Sequence, residues 1–174
     1  MFSDPIKNLK FFDLREDMIV ADLGAGTGFY SMTLSEMVHR GKVYAVEIQR
    51  DFLATIANKI ADKKCTNVEC LWGDIEKHKG TKLADGIIDA VVASNVLFQL
   101  EDKETFIKEI KRILKPKGKV LVVDWHPDSD LLHKKHVGSL SKHDAGHLFT
   151  KNGFELEREI DTGLHHYGMI LIKK

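Results

Sequence analysis

The sequence predicts an α/β fold: a seven-stranded, mostly parallel sheet with helices on both faces and an antiparallel hairpin at its C-terminal end. Three observations predict it. Short apolar runs alternate with stretches of helical spacing as far as Asp124, the pattern of a parallel sheet with crossover helices. A glycine-rich turn, Gly24-Ala25-Gly26-Thr27-Gly28, joins the first apolar run to the first helical stretch. The last two β-rich runs, 154–160 and 167–172, are separated only by Asp161–His166. That connection is too short for a parallel crossover, so the two strands pair antiparallel.

In chain order, Met18–Leu23 is the first strand, a short apolar run. Tyr30, Leu34, Met37 and Val38 then fall on one helix face. Val43–Glu47 is the second strand, and Phe52, Ile56 and Ile60 place a helix over 51–63. Asn67–Leu71 is a short third strand, followed by a polar loop from Gly73 to Asp85. Ile87–Ala93 is nearly all apolar and therefore central. Phe106, Ile107, Ile110, Ile113 and Leu114 set a helix at 103–114, which Lys115-Pro116-Lys117-Gly118 ends with a turn. Lys119–Asp124 is the fifth strand, and 125–140 reads as loop. Ser141-Lys142-His143-Asp144 has the form of a capping box opening a helix to about Asn152, and Gly153 stops it.

The glycine spacing narrows the ligand. The dinucleotide fingerprint places its third glycine five residues after the first. Here that position is Phe29, and the third glycine arrives one residue early, at Gly28. Asp22 stands two residues before the first glycine, where a carboxylate suits a cationic ligand and repels a pyrophosphate. This Asp-x-Gly-x-Gly-x-Gly turn resembles motif I of the class I S-adenosylmethionine-dependent methyltransferases. Leu97-Phe98-Gln99-Leu100 and Leu114-Lys115-Pro116-Lys117-Gly118-Lys119-Val120-Leu121 resemble the small-molecule, ubiquinone-biosynthesis-type branch of that family. The likeness covers roughly residues 18–124 and implies a Rossmann-like sheet over one domain, 1–174.

The resemblance implies S-adenosylmethionine as cofactor and S-adenosylhomocysteine as product. It implies a cofactor site at Asp22, Gly24, Ala25, Gly26 and Gly28, with Glu47 on the ribose hydroxyls and Ile48 against the adenine face. Asp74 and Ile75 match the positions that meet the adenine edge, and Asp74 also fits as the cap of a short turn. Ser94 and Asn95 match the loop beneath the methionine portion. That loop lacks the Pro-Pro-aromatic sequence of base-amino methyltransferases, which speaks against nucleic acid as acceptor. Tyr30, Phe98 and His126 are candidates for the substrate side, with Trp125 beside them. His126, two residues past Asp124, is placed to take a proton from a nucleophile. Phe11 and Phe12 read as N-terminal packing. In-line methyl transfer needs positioning and desolvation more than a dedicated base.

Composition bounds the rest. The 174 residues are 43% apolar and carry 26 basic and 26 acidic side chains, so nothing in that balance calls for a polyanionic partner, and a local basic patch stays compatible with it. No apolar run reaches membrane-spanning length, and the N-terminus lacks a signal-peptide core, which predicts a cytoplasmic protein. Cys65 and Cys70 are too few for a disulfide framework. His143 and His147 have metal-compatible spacing, but Asp144 stands where a zinc-protease helix needs Glu; no metal is expected. The expected function is methyl transfer to a small organic acceptor. Its rivals are an RNA or protein methyltransferase with the same cofactor site, and an inactive cofactor-binding or interaction domain. The acceptor and the oligomeric state do not follow from the sequence.

Overall fold

The computed structural model describes residues 4–129 and 138–174. A short helix, α1 (Pro5–Leu9), precedes β1 (Ile19–Leu23), α2 (Phe29–Met37), β2 (Lys42–Glu47), α3 (Arg50–Lys63), β3 (Val68–Trp72) and β4 (Ile88–Ser94). A 3₁₀ turn at Leu97–Gln99 leads to α4 (Lys103–Ile113) and β5 (Leu114–Trp125). After these come α5 (Lys142–Lys151), β6 (Phe154–Ile160) and β7 (His166–Lys173). The strands form one seven-stranded sheet in the order β3-β2-β1-β4-β5-β7-β6. All pairings up to β5 are parallel, while β7 runs antiparallel to both β5 and β6.

The apolar strands are covered on both sides. On one face Val20, Ala90, Val92, Leu121 and Val123 pack with Leu9, Phe12, Tyr30, Leu34 and Val38 from the α1 and α2 side. Ala25, Met32, Ala45 and Ile56 join α2 and α3 to the same side. On the other face Ala21, Leu23, Val91, Ala93, Val120 and Val122 pack with Phe106, Ile107, Ile110 and Ile113 of α4 and Phe149 of α5. Strands buried on both faces read as near-continuous apolar runs, which is why β1 and β4 were legible. Phe12 is part of this core, as its reading as packing requires.

Two local features differ from the sequence reading. The turn expected at Lys115–Gly118 lies within β5, as an excursion from its ladder. Ile88 pairs with Leu114, yet Ala90 pairs with Lys119, and Lys117 adopts a left-handed φ of 62°. Pro116 cannot donate to a ladder, so the strand leaves its register there. Trp125 belongs to β5, and of the expected 125–140 loop residues 130–137 lie outside the described residues. Whether that segment folds over a substrate therefore falls outside them too.

The polar loop after β3 is held from behind by a buried ion network. Glu109 of α4 accepts hydrogen bonds from Lys79 N (2.9 Å), Thr81 N (3.3 Å), Thr81 Oγ1 (2.6 Å), Arg112 Nε (2.8 Å) and Arg112 Nη2 (2.7 Å). Burial alone would raise the Glu109 pKa, but the bonds from Arg112, Thr81 and Lys79 hold it down at about 2. Arg112 also ties in Asp85 and the Leu83 carbonyl.

Candidate functional site

The sheet changes winding direction between β1 and β4, and a crevice opens outside the carboxyl ends of strands at such a point. Here it is a cavity of about 450 Å³. Asp22, Gly24, Ala25 and Gly26 line it from the β1 turn, Glu47 and Ile48 from the end of β2, Asp74 and Ile75 from the loop after β3, and Ser94 and Asn95 from the end of β4. The structure thus gathers ten of the eleven expected cofactor residues around one volume.

Gly28 is the exception. It caps α2 with φ 80°, and a Cβ there would lie 2.9 Å from Ile56 Cγ1. Its smallness serves the close approach of α2 and α3, not the cavity wall. Gly24 and Gly26 also hold left-handed backbones, with φ of 71° and 53°. A Cβ at Gly24 would strike Val96 Cγ2 at 2.3 Å, whereas one at Gly26 meets nothing within 4 Å.

Glu47 is buried and holds this turn in place. Its Oε2 accepts from Gly26 N at 2.8 Å, and its Oε1 accepts from Ile48 N at 2.8 Å and Gln49 N at 2.9 Å. A carboxylate offers about four lone-pair positions, so one remains on Oε2 for a ligand hydroxyl. Asp22 accepts from Ser31 Oγ at 2.6 Å. Burial, opposed by the Ser31 bonds and reinforced by the Glu47 charge, raises its pKa to about 6. Asp74 caps its own turn, accepting from Glu76 N at 3.0 Å, and also lines the cavity.

Among the described residues the charge of the wall has a single sign. Asp22, Glu47, Asp74 and Glu76 contribute four carboxylates, and no described Lys, Arg or His lines it. Ser94 Oγ and Asn95 Oδ1 are buried there without a hydrogen-bond partner among the described residues, although buried polar atoms are normally satisfied. A ligand with cationic and hydrogen-bonding groups meets these demands; a pyrophosphate does not.

Of the three substrate-side candidates, Tyr30 lines the cavity, while Phe98 and His126 are absent from its described lining. The 3₁₀ turn brings Gln99 and Leu100 inward instead of Phe98. His126 packs edge-on against the Tyr167 ring, with centroids 5.6 Å apart, and its backbone N–H donates to the His165 carbonyl. Trp125 stacks on His166 at 3.9 Å. Phe11 is partly exposed and lies outside the lining.

Sequence reasoning missed Asp124. It is buried at the end of β5 and accepts from Val96 N (3.1 Å), Leu97 N (2.7 Å) and Trp125 N (2.8 Å). Burial, only partly offset by these bonds, raises its pKa to about 6. It fixes the loop that carries Asn95 and Val96 over the cavity. An acid ending an apolar strand was the available signal, but nothing in the sequence names its partners. Thr27, Phe29, Gln49, Phe52 and Glu76 also line the cavity unannounced.

Residues 14–160 match the model of a family described as a methyltransferase domain. The chain is 31% identical over 158 residues to the arsenite methyltransferase of Aquipseudomonas alcaligenes, covering 82% of this chain and 45% of that protein. It is 30% identical over 123 residues to the ubiquinone/menaquinone biosynthesis C-methyltransferase of Shewanella frigidimarina, covering 69% of this chain and 48% of that one. The chain therefore spans less than half the length of these curated relatives. Among solved structures, an S-adenosylmethionine-dependent methyltransferase from Aquifex aeolicus superposes with a TM-score of 0.88 at 29% identity, over 98% of this chain and 90% of that one.

Proposed function

The chain belongs to the methyltransferase-domain family, and from that premise we propose that it transfers a methyl group from S-adenosylmethionine to a small organic acceptor. The observation that carries the reading is the cavity's charge: four carboxylates and, among the described residues, no cationic side chain, at the glycine turn of β1. A sulfonium and an ammonium are stabilised there, and the negative potential also favours a cationic donor over its neutral product.

In this reading the residues divide the ligand between them. Asp22 faces the ammonium end, with Ser94 and Asn95 supplying the partners that their own buried oxygens lack. Glu47 offers its remaining lone pair to the ribose while it keeps the glycine turn closed. Ile48 lies against the adenine face, and Asp74 and Ile75 meet its edge. Bound S-adenosylmethionine supplies an electrophilic methyl carbon with a good leaving group. Tyr30, buried beside the methionine end, helps shape the approach of the acceptor; its hydroxyl accepts from Asn8 Nδ2 at 2.7 Å, which ties α1 to the cavity. Alignment of the nucleophile with the departing sulfur, in a site shielded from water, provides the acceleration.

The acceptor is small and apolar in body. Cys65 and Cys70, the chain's two cysteines, lie outside the cavity lining, so thiolates do not hold the acceptor there. The test is formation of S-adenosylhomocysteine across a panel of phenols, quinols, amines, thiols, carboxylic acids and RNA. Turnover with a small acceptor is the expected result. Methyl incorporation into RNA alone, or tighter binding of NAD than of S-adenosylhomocysteine by calorimetry, overturns the reading.

A further inference from the structure

A second cavity, of about 270 Å³, lies behind the adenine side of the first and shares Ile48, Gly73 and Asp74 with it. Its character is opposite. Lys77, His78, Lys79 and Lys82 border it, against the single carboxylate of Asp74, which Lys77 already pairs at 3.1 Å. Arg50, Lys79 and Lys82 take part in no ion pair among the described residues. Trp72 borders the same cavity with half its surface exposed, its indole N–H donating to the Ile48 carbonyl at 2.9 Å and the Arg50 guanidinium 4.8 Å from its ring centre. The loop's backbone is also unusual. Lys79 and Lys82 both hold left-handed φ angles, 58° and 64°, which cost side-chain-bearing residues energy and persist only where the surroundings over-determine them. The buried Glu109–Arg112–Thr81 network supplies that over-determination through Lys79 N and Thr81 N. The methyl transfer proposed for the first cavity uses none of Trp72, Lys79 and Lys82.

We propose that the second cavity is a nucleotide site, with a planar base lying on Trp72 and its phosphate held by Lys79 and Lys82. Aromatic stacking beside a cationic groove is how proteins hold nucleotides without reading their sequence. A free nucleoside monophosphate and one unit of single-stranded RNA offer the same chemistry. The site is separate from the acceptor proposed above and does not depend on it.

The test titrates uridine monophosphate and an eight-residue oligouridylate into the full chain saturated with S-adenosylhomocysteine. If S-adenosylhomocysteine itself fails to bind, the titration is run without it, so the two readings fail separately. Binding is expected, weakened at least about tenfold by Trp72→Ala and by Lys79→Ser/Lys82→Ser, with Trp72→Phe restoring most of it. Equal affinity for both probes identifies the free nucleotide; strong preference for the oligomer with steep salt dependence identifies the strand. Absence of binding at millimolar probe, competition with S-adenosylhomocysteine, or affinity that survives either the lysine or the Trp72→Ala substitution overturns the proposal.

Discussion

Asp22 and Asp124 end β1 and β5, both are buried, and both have pKa values raised to about 6, yet their surroundings differ in kind. Asp124 spends its oxygens on three backbone N–H groups and lies outside the cavity lining. The Asp22 carboxyl is bonded, among the described residues, by Ser31 alone, through its hydroxyl and its backbone N–H, and lines the cavity. A buried acid that holds backbone donors from several residues fixes a loop. One that faces open volume costs stability until a ligand arrives. How many residues the acid ties together, rather than the size of the pKa shift, separates the two.

The comparison breaks most visibly at Asp124. Asp124→Ala leaves the N–H groups of Val96, Leu97 and Trp125, the first two buried, without this acceptor and should cost on the order of 3 kcal/mol in urea denaturation. A loss under about 1 kcal/mol would mean that the Asn95–Phe98 loop is held by something else.

The glycine turn sharpens it next. Gly24→Ala forces a Cβ onto Val96 at a left-handed backbone and should destabilise by about 2–3 kcal/mol. Gly26→Ala carries only the backbone cost, about 1 kcal/mol, but its methyl points into open volume. S-adenosylhomocysteine affinity should therefore fall more at Gly26 than stability does, as calorimetry on both variants will show.

Asp22→Asn tests the other side of the comparison. At pH 7.5 it removes a buried charge and should raise stability by about 1–3 kcal/mol, while weakening S-adenosylmethionine binding about tenfold. At pH 4 the stability difference should vanish, because the native carboxyl is then protonated. A variant less stable at pH 7.5 with unchanged affinity would group Asp22 with Asp124.

The smallest effect is the pH profile itself. The folded pKa of Asp22 lies above its unfolded value, so its contribution favours folding below about pH 4 and is lost as pH rises through about 6. Binding of a cation runs the other way. Affinity for both S-adenosylmethionine and S-adenosylhomocysteine should drop as pH falls through 6, because both carry the ammonium that Asp22 faces in this reading. Affinities that do not change with pH for either ligand would remove the ammonium from the vicinity of the acid.

Much of this was legible in the sequence because it rests on local rules. Strand runs show as apolar stretches, and positive-φ glycines mark the turn at Gly24 and Gly26. Ser141 caps α5 as its capping box predicts, accepting from Asp144 N at 3.1 Å. The failures lie where a side chain's direction depends on distant partners. Phe98 and Gln99 are adjacent in a 3₁₀ turn, and no periodicity tells which of them faces the cavity. Lys115–Gly118 reads as a turn by composition, while only its pairing with β4 makes it part of a strand. Gly28 fits a ligand motif by spacing, yet its neighbour is Ile56, twenty-eight residues away.

The order β2-β1-β4-β5 has a consequence for biosynthesis. Val20 cannot meet its partner Ala90 until the ribosome has made the helices and strands between them. Even then the wall at Asn95 and Val96 lacks the acid that fixes it. Loop closure over such separations is slow. Asp124, the acid that accepts from Val96 and Leu97 N, is synthesised after both the glycine turn and the end of β4. The glycine turn is thus made about one hundred residues before the acid that fixes the loop on the other wall of its cavity.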